Sequence, residues 1–358
     1  MPGRTSNRRE FIQTLYAGAS IGLGALRLSG ENATKQKPLR GIFPIAQTPF
    51  TDSDKLDIQS LIEEVRFIHR VRVHGFVWPQ LASEWSTLSD AERIEGAEAI
   101  ASEGKKLSPA IVLGVQGPDL NTAVRYAKHA EKVGADAIIS LPPSRDASPQ
   151  AILEYYKTVG NATGLPLFVQ AVGNMSVELV LEMYKAIPTF RYLKDEAGQP
   201  LMRIAKLRAG SSDELKVFTG GHGRTLLDEM SRGFSGSMPA ASFADLYAAA
   251  WDQWHAGKRK EALEAFGDAS ILINEIGAYG LESMKYILCL RNVFKTYRTR
   301  EQPAKAAGGA SAAALASGTG GSSAHLDEEG KRVLRSLLDA MKPCLRAAAS
   351  LTQKSQDV

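Results

Sequence analysis

Lys194 is the residue of this sequence best suited to covalent chemistry. It ends the apolar run Phe190–Lys194, which is typical of a short β-strand. Because side chains alternate along a strand, Tyr192 and Lys194 share one side and Leu193 faces the other. If Leu193 faces surrounding helices, Lys194 faces an enclosed interior, where loss of solvent disfavours an ammonium group and leaves a nucleophilic amine. Spacing alone favours the alternative, a solvated lysine at a strand end.

The segments that must position this lysine alternate between short apolar runs and longer stretches of helical period, which is typical of parallel βα units. Eight such strands within about 200 residues match a compact (β/α)8 TIM barrel. No Gly-x-Gly-x-x-Gly sequence opens the first helix, so a doubly wound open sheet is disfavoured. The predicted strands are Gly41–Thr48, Gly75–Pro79, Ala110–Val115, Ala137–Leu141, Pro166–Ala171, Phe190–Lys194, Lys216–Thr219 and Gly233–Met238.

The stretches between the strands carry apolar residues three and four positions apart, as amphipathic helices do. Predicted helices within the barrel include Ile58–Arg70, Asp90–Glu103, Thr122–Val133, Pro149–Thr163, Val177–Ala186 and Thr225–Arg232. After the last strand, the pattern predicts further helices over Phe243–His255, Arg259–Ile276 and Leu281–Tyr297.

Five motifs occur along the chain in an order that is more specific than any one of them. They are Gly41–Phe50 followed by Asp57, Glu84–Arg93, Lys194-Asp195 followed by Gly198, Phe218–Gly221, and Gly233–Ser237. From Gly41 to about Glu301 the chain resembles the dihydrodipicolinate synthase and N-acetylneuraminate lyase family. The resemblance implies that Lys194 forms an imine with a small 2-oxo acid, usually pyruvate, for aldol condensation or cleavage. It also implies a homo-oligomer, and we predict neither a cofactor nor a metal.

The loop after the second strand departs from the family, in which a Gly-Thr-Thr-Gly-Glu type segment holds the pyruvoyl carboxylate. Here Leu81 and Ala82 stand at the hydroxyl positions, and Ser83 supplies a hydroxyl one place later. The apolar Leu81 indicates a different ligand. By resemblance, Ala82, Ser83, Gln170 and Ser237 are assigned to substrate binding.

A second departure follows the fourth strand, where the resemblance places a tyrosine that shuttles protons. Ser144 stands at that catalytic position, and it is too short and too weakly acidic to replace a phenol without an intervening water. Arg145 is either an acid-binding group or a solvated loop charge. Gln170 stands where the family usually shows Tyr-Asn-x-Pro and is either a lining residue or a core amide. His222 is either a proton-transfer group or a surface histidine.

Three other residues near the altered loop admit structural interpretations. Glu84 is interpreted as an acceptor for loop amides. Trp78 and Trp85 flank the loop and are predicted to narrow the pocket, whereas Trp251 and Trp254 lie on an outer helix and are predicted to pack.

The charge distribution argues against nucleic acid as a partner. The net charge is +4, of which residues 1–30 carry +3, so the rest of the chain is close to neutral. The two cysteines, Cys289 and Cys344, have no metal-ligand spacing, and the sequence does not decide whether they pair.

Residues 1–35 are interpreted as a targeting segment. Arg8-Arg9 precedes Phe11-Ile12, and the apolar run Thr14–Leu26 is shorter than the ~20 residues that span a bilayer. This pattern resembles a twin-arginine signal and predicts an exported, periplasmic protein. The alternative is a disordered basic terminus. No clear cleavage site adjoins Arg27, so an uncleaved segment would be the protein's contact with the membrane.

The remaining chain divides by composition. Residues 38–300 form the predicted barrel with its extra helices. Residues 304–324 are rich in Ala, Gly, Ser and Thr and are predicted to be a flexible linker, and residues 325–350 contain a predicted helix over Asp327–Ala348. Three functions remain open: an imine-forming lyase or aldolase, a barrel that binds without reacting, and a sugar-acid dehydratase.

Overall fold

The computed structural model describes residues 37–300 and 324–346, in which eight parallel strands form one sheet with the order β1-β8-β7-β6-β5-β4-β3-β2. Beyond β1, the Val77 N–H donates to Pro44 O at 3.0 Å and the Ala46 N–H donates to Val77 O at 2.9 Å, which joins the first and second strands. The predicted TIM barrel is therefore confirmed. The strands are β1 (Gly41–Ile42), β2 (Gly75–Trp78), β3 (Ala110–Gly114), β4 (Ala137–Ser140), β5 (Leu167–Ala171), β6 (Phe190–Asp195), β7 (Lys216–Thr219) and β8 (Gly236–Ser237).

The helices alternate with these strands, and most begin where the sequence provides a cap. Asp57, Ser89, Asp119, Ser148 and Ser176 each accept a backbone N–H from the first turn of the helix that follows. The helices of the barrel are α1 (Ile58–Arg70), α2 (Asp90–Gly104), α3 (Leu120–Val133), α4 (Pro149–Asn161), α5 (Val177–Ala186), α6 (Pro200–Gly210), α7 (Leu226–Ser231) and α8 (Ala244–His255).

Three further helices are α9 (Arg259–Tyr279), α10 (Leu281–Leu290) and α11 (Glu328–Met341), and α11 packs on α9 and α10. The helix predicted over Leu281–Tyr297 ends early because Asn292 adopts a left-handed φ of 57°. The last helix ends at Met341, two residues before Pro343. Across the described ranges, no helix is long and apolar enough to cross a membrane.

The first strand is also shorter than predicted, because Pro44 has no N–H to continue the ladder and Ile45 makes only isolated bridges to Val77 and Ala240. The predicted targeting segment (1–35) and nearly all of the predicted linker (304–324) lie outside the described residues.

An aromatic layer fills the barrel interior and forms the floor on which the site is built. Its rings are Phe43, Phe168, Tyr192 and Phe218, with neighbouring centroids 4.6 to 6.4 Å apart. Two glycines make room for the layer, since a Cβ on Gly75 would lie 2.2 Å from the Phe43 ring and one on Gly236 would lie 2.3 Å from the Phe218 ring. The layer separates the carboxyl ends of the strands from the rest of the interior.

Candidate active site

Lys194 lies near the C-terminal end of β6, one step along the strand from the aromatic layer. Its register partners are Gln170 on β5 and Phe218 on β7. Leu193 is fully buried, and Lys194 itself is 5% exposed. The structure therefore supports the enclosed interpretation of this lysine over the solvated one.

Glu196 is the ionisable group in contact with the lysine amine. Lys194 Nζ lies 3.1 Å from Glu196 Oε2. The same oxygen accepts Gln170 Nε2 at 2.5 Å, and Oε1 accepts the Gly221 N–H at 3.0 Å. Burial raises the pKa of this carboxyl, but the Lys194 charge and the hydrogen bonds outweigh it and hold the pKa below its usual value. Gly220 provides the space, because a Cβ there would lie 1.8 Å from Glu196 Oε1.

His222 is held at the same site by an unusual backbone conformation. Its φ of 58° is left-handed, and its carbonyl accepts the Tyr247 hydroxyl at 2.6 Å. The side chain is 5% exposed, and Nε2 is buried without a hydrogen-bond partner among the described residues. Burial, and then the Arg224 charge, lowers the pKa of His222 to about 4. The imidazole is therefore neutral at pH 7, and it is not a surface histidine.

These groups face one narrow space, which we call the Lys194 cavity. Its lining includes Gln80, Leu81, Ala82, Lys194, Glu196 and His222. The cavity measures about 20 Å³, which is room for one or two water molecules. Any reactant larger than a few atoms must extend into neighbouring space.

The loop after β2 contributes to this cavity in part. Leu81 and Ala82 line it. The Ser83 hydroxyl instead accepts the Gln80 N–H at 3.0 Å and donates to Ala46 O, so it is committed to the loop's own backbone. Ala82 and Ser83 of this loop were both predicted to bind substrate. Ala82 lines the Lys194 cavity, and Ser83 does not.

The predicted catalytic Ser144 is not brought to the lysine. It lines a separate outer cavity of about 180 Å³ together with Leu81, Trp85, Leu141, Arg145 and Tyr155. The Ser144 hydroxyl donates to Asp146 Oδ1 at 2.9 Å, and both Ser144 and Arg145 are exposed. Leu81 lines both cavities and stands between them. The position beside Lys194 on the neighbouring strand belongs to Gln170.

Ser237 is fully buried on β8 in a chain of polar groups. Its hydroxyl lies 3.2 Å from Thr219 Oγ1, which donates to Glu229 Oε2 at 2.5 Å. Ser237 does not line the Lys194 cavity. Thr219 and Glu229 also line a third cavity of about 450 Å³ beside α6 and α7, which adjoins Glu196.

Other residues noted from the sequence have structural roles. Glu84 is fully buried, forms an ion pair with Lys285 and accepts the Arg300 N–H at 2.6 Å, so it is a structural acceptor as predicted. Trp78 is fully buried in the core and does not narrow the pocket, while Trp85 lines the outer cavity.

The described cysteines and acidic residues show no arrangement typical of a metal centre. Cys289 and Cys344 are unpaired. Within the part of the chain that the structure describes, no group of three or more His, Cys, Asp or Glu side chains is arranged to hold a metal ion.

Comparison with family models gives a match to the dihydrodipicolinate synthetase family over residues 38–303. The chain belongs to this family. The match covers the whole barrel, including the stretch that carries Lys194, and agrees with the resemblance inferred from the motifs.

Relatives within the family carry different names. A 4-hydroxy-tetrahydrodipicolinate synthase of Rhizobium meliloti is 28% identical over 175 residues, 47% of this chain and 59% of that protein. An L-2-keto-3-deoxyarabonate dehydratase of Azospirillum brasilense is 27% identical over 244 residues, 66% of this chain and 79% of that protein. The chain thus spans less than two thirds of the length of the Rhizobium protein and more than two thirds of the length of the Azospirillum protein.

Solved structures share the fold. The dihydrodipicolinate synthase of Rhodopseudomonas palustris has a TM-score of 0.72 at 23% identity, covering 84% of this chain and 97% of that one. The N-acetylneuraminate lyase of Mycoplasma synoviae has a TM-score of 0.69 at 18% identity, again covering 84% and 97%. At these identities the likeness establishes the barrel.

Sequence reasoning did not single out Glu196. A signal for it was present, because Glu196 follows Lys194 by two positions and alternation places both on the same side. It was missed because residues beyond a strand end need not keep the alternation. The Glu196 N–H donating to Ala171 O at 2.9 Å extends the β5–β6 pairing by one residue and preserves it here.

Proposed function

We propose that this protein is a Schiff-base-forming lyase or aldolase that acts on a 2-oxo acid, with Lys194 as the nucleophile. The observation that carries the proposal is the buried Lys194 amine at the carboxyl end of β6, the end of a TIM barrel where chemistry occurs. Membership of a family with lyases in it supports the reaction class.

The chemistry needs few groups. The neutral Lys194 amine adds to the C2 carbonyl carbon, the carbonyl oxygen leaves as water after gaining two protons, and a protonated imine remains. The imine draws electrons from the neighbouring carbon, so a C3–H, or a C3–C4 bond in a longer substrate, becomes easier to break. The Glu196 carboxylate, 3.1 Å from Nζ, lies beside the nitrogen on which the imine would form.

Borohydride reduction tests this proposal without requiring turnover. The protein is incubated with pyruvate and a panel of longer 2-oxo acids, reduced, and analysed by intact mass and peptide mapping. We expect one adduct on Lys194, no adduct in Lys194→Ala, and an unchanged adduct in Lys216→Ala, which removes an exposed lysine on the next strand. Labelling of another lysine, or of none with any acid, would replace the lyase proposal with a barrel that only binds.

A dehydratase of sugar-derived oxo acids is the second candidate. It is favoured by the similarity to the Azospirillum dehydratase, which extends over 244 residues. The same imine would assist loss of a C4 hydroxyl as water. Turnover of a 2-oxo-3-deoxy sugar acid, together with poor turnover of pyruvate alone, would support the dehydratase candidate.

We also propose that the protein is a homo-oligomer, as the family resemblance implies. Light scattering of the purified protein tests this proposal.

A further inference from the structure

We propose that Glu196, oriented by Gln170, is the catalytic base that removes the C3 proton from the Lys194 imine. This inference rests on the proposed function, because it requires the imine to form. It assigns to a carboxylate the proton transfer that the family resemblance assigned to a tyrosine.

The reach of the carboxylate follows from its contacts with the lysine. In the imine, C3 is two bonds from Nζ, and Glu196 Oε2 already lies 3.1 Å from Nζ. Two donors fix the carboxylate plane, Gln170 Nε2 on Oε2 and the Gly221 N–H on Oε1. A base fixed beside the nitrogen is therefore close to the C3 hydrogens without further movement, as proton transfer requires.

Other proton-transfer groups are less well placed. Among the described residues that line the Lys194 cavity, the titratable ones are Lys194, Glu196 and His222. Lys194 becomes the imine, and the buried His222 Nε2 has no hydrogen-bond partner among the described residues, whereas Glu196 Oε2 contacts Nζ. Ser144 and the Tyr155 phenol, which is bonded to Ser140 Oγ at 2.8 Å, lie in the outer cavity.

Gln170 holds the Glu196 carboxylate beside Lys194 through its side-chain amide. It stands at the tyrosine of the Tyr-Asn-x-Pro segment in the family resemblance, and its register partner is Lys194. An amide cannot shuttle protons, but it can hold a carboxylate that does. Gly220, which has no side chain to fill the space, lets the Glu196 carboxyl occupy it.

The step balances without an oxidant or a second reactant. Glu196 takes a proton from C3, the C–H electron pair forms a C2–C3 double bond, and the C2–N π pair returns to nitrogen. The products are a neutral enamine and a protonated Glu196. Reversal in D2O delivers deuterium to C3, so pyruvate bound as the imine should lose its methyl hydrogens to solvent.

Methyl hydrogen–deuterium exchange of pyruvate, followed by proton NMR in D2O, tests the assignment alongside borohydride trapping. We expect Glu196→Gln to trap pyruvate on Lys194 to an extent within a fewfold of the unaltered protein. Its exchange rate should fall by roughly a hundredfold or more, the range for loss of a general base. The shorter carboxylate of Glu196→Asp should restore part of the exchange.

Controls separate this role from a structural one. Glu229→Gln replaces a second buried carboxyl that does not line the Lys194 cavity, and it should keep both adduct and exchange. Exchange in Glu196→Gln within threefold of the unaltered protein would overturn the assignment, as would loss of the adduct itself in that variant. If Glu196→Gln does not fold, Glu196→Asp and Gln170→Leu take its place. Undiminished exchange in both of these variants would overturn the assignment of Glu196 as the base. If the unaltered protein forms no adduct with any oxo acid, the proposed function fails, and this inference fails with it.

Discussion

Arg203 on α6 donates a hydrogen bond to Asp195 on β6, with Nε 2.9 Å from Oδ2. Asp195 directly follows Lys194 and is fully buried. Because neighbouring strand residues face opposite ways, holding Asp195 toward α6 turns Lys194 toward the barrel interior. Burial raises the pKa of the Asp195 carboxyl and Arg203 opposes the rise. The pair is thus a polar anchor for the orientation of the lysine.

Removing the positive charge of Arg203 should lower the free energy of unfolding. Arg203→Met leaves Asp195 buried without its charged partner, and we expect the free energy of unfolding to fall by about 3 kcal/mol. The matched variant Arg208→Met breaks an exposed pair with Asp213 and should cost less than about 1 kcal/mol. Urea unfolding at pH 7 measures both. Equal losses in the two variants would show that Asp195 does not depend on Arg203.

Glu229 should make stability depend on pH. Burial raises the pKa of this carboxyl from 4.5 to about 7, although Thr219 and Thr225 donate to it. The folded protein therefore binds the proton more tightly than the unfolded chain does. This contribution to stability is complete below about pH 4.5 and is lost as the pH rises through about 7.

Glu229→Gln removes this titration and keeps a neutral group of the same shape. Relative to the unaltered protein, the variant should gain up to roughly 3 kcal/mol of unfolding free energy between pH 4.5 and pH 8. Urea unfolding across that range gives the difference, with Glu154→Gln, an exposed change on α4, as the control. A difference that stays constant with pH would contradict the assignment.

Leu81 should limit the binding of small oxo acids. It lines both the Lys194 cavity and the outer cavity, at a position where the family carries a hydroxyl. Leu81→Thr adds a hydroxyl that can bond a substrate carboxylate, and one such bond contributes about 1 kcal/mol. We expect the pyruvate concentration for half-maximal trapping to fall about fivefold. Leu81→Val, which has the shape of threonine without the hydroxyl, should not share this gain.

We propose that the protein is exported through the twin-arginine route. The basis is Arg8-Arg9 followed by Phe11-Ile12 and a short apolar run, and these residues lie outside the described part of the chain. Replacing both arginines with lysine should retain the protein in the cytoplasm, because the paired guanidinium groups are the signal. Fractionation with a periplasmic marker measures the distribution. Unchanged export of the double variant would refute the signal.

The alternation of eight apolar runs with helical stretches was enough to predict the TIM barrel and most element boundaries. Both signals are local, since a period of two or 3.6 is read from neighbours in sequence. Ile58–Arg70 and Val177–Ala186 begin and end where the pattern predicts. Boundaries moved where backbone chemistry overrode the pattern, as at Pro44, which interrupts the first strand, and at Asn292, which ends α10 in a left-handed conformation.

The sequence by itself determined the fold, the place of Lys194 at the end of the sixth strand, and that Lys194 shares a side of the strand with Tyr192. The tertiary structure decided that this side is enclosed. Only the tertiary structure decided which groups meet the lysine amine. It placed Glu196 and Gln170 there, tied the Ser83 hydroxyl into its own loop, and set Ser144 in another cavity. The physical reason for Glu196 is that it keeps the alternation of β6 only because its N–H pairs with Ala171 O on β5. The other contacts join the ends of different βα units. Their distances depend on the paths of loops, and no periodicity within one segment encodes those paths.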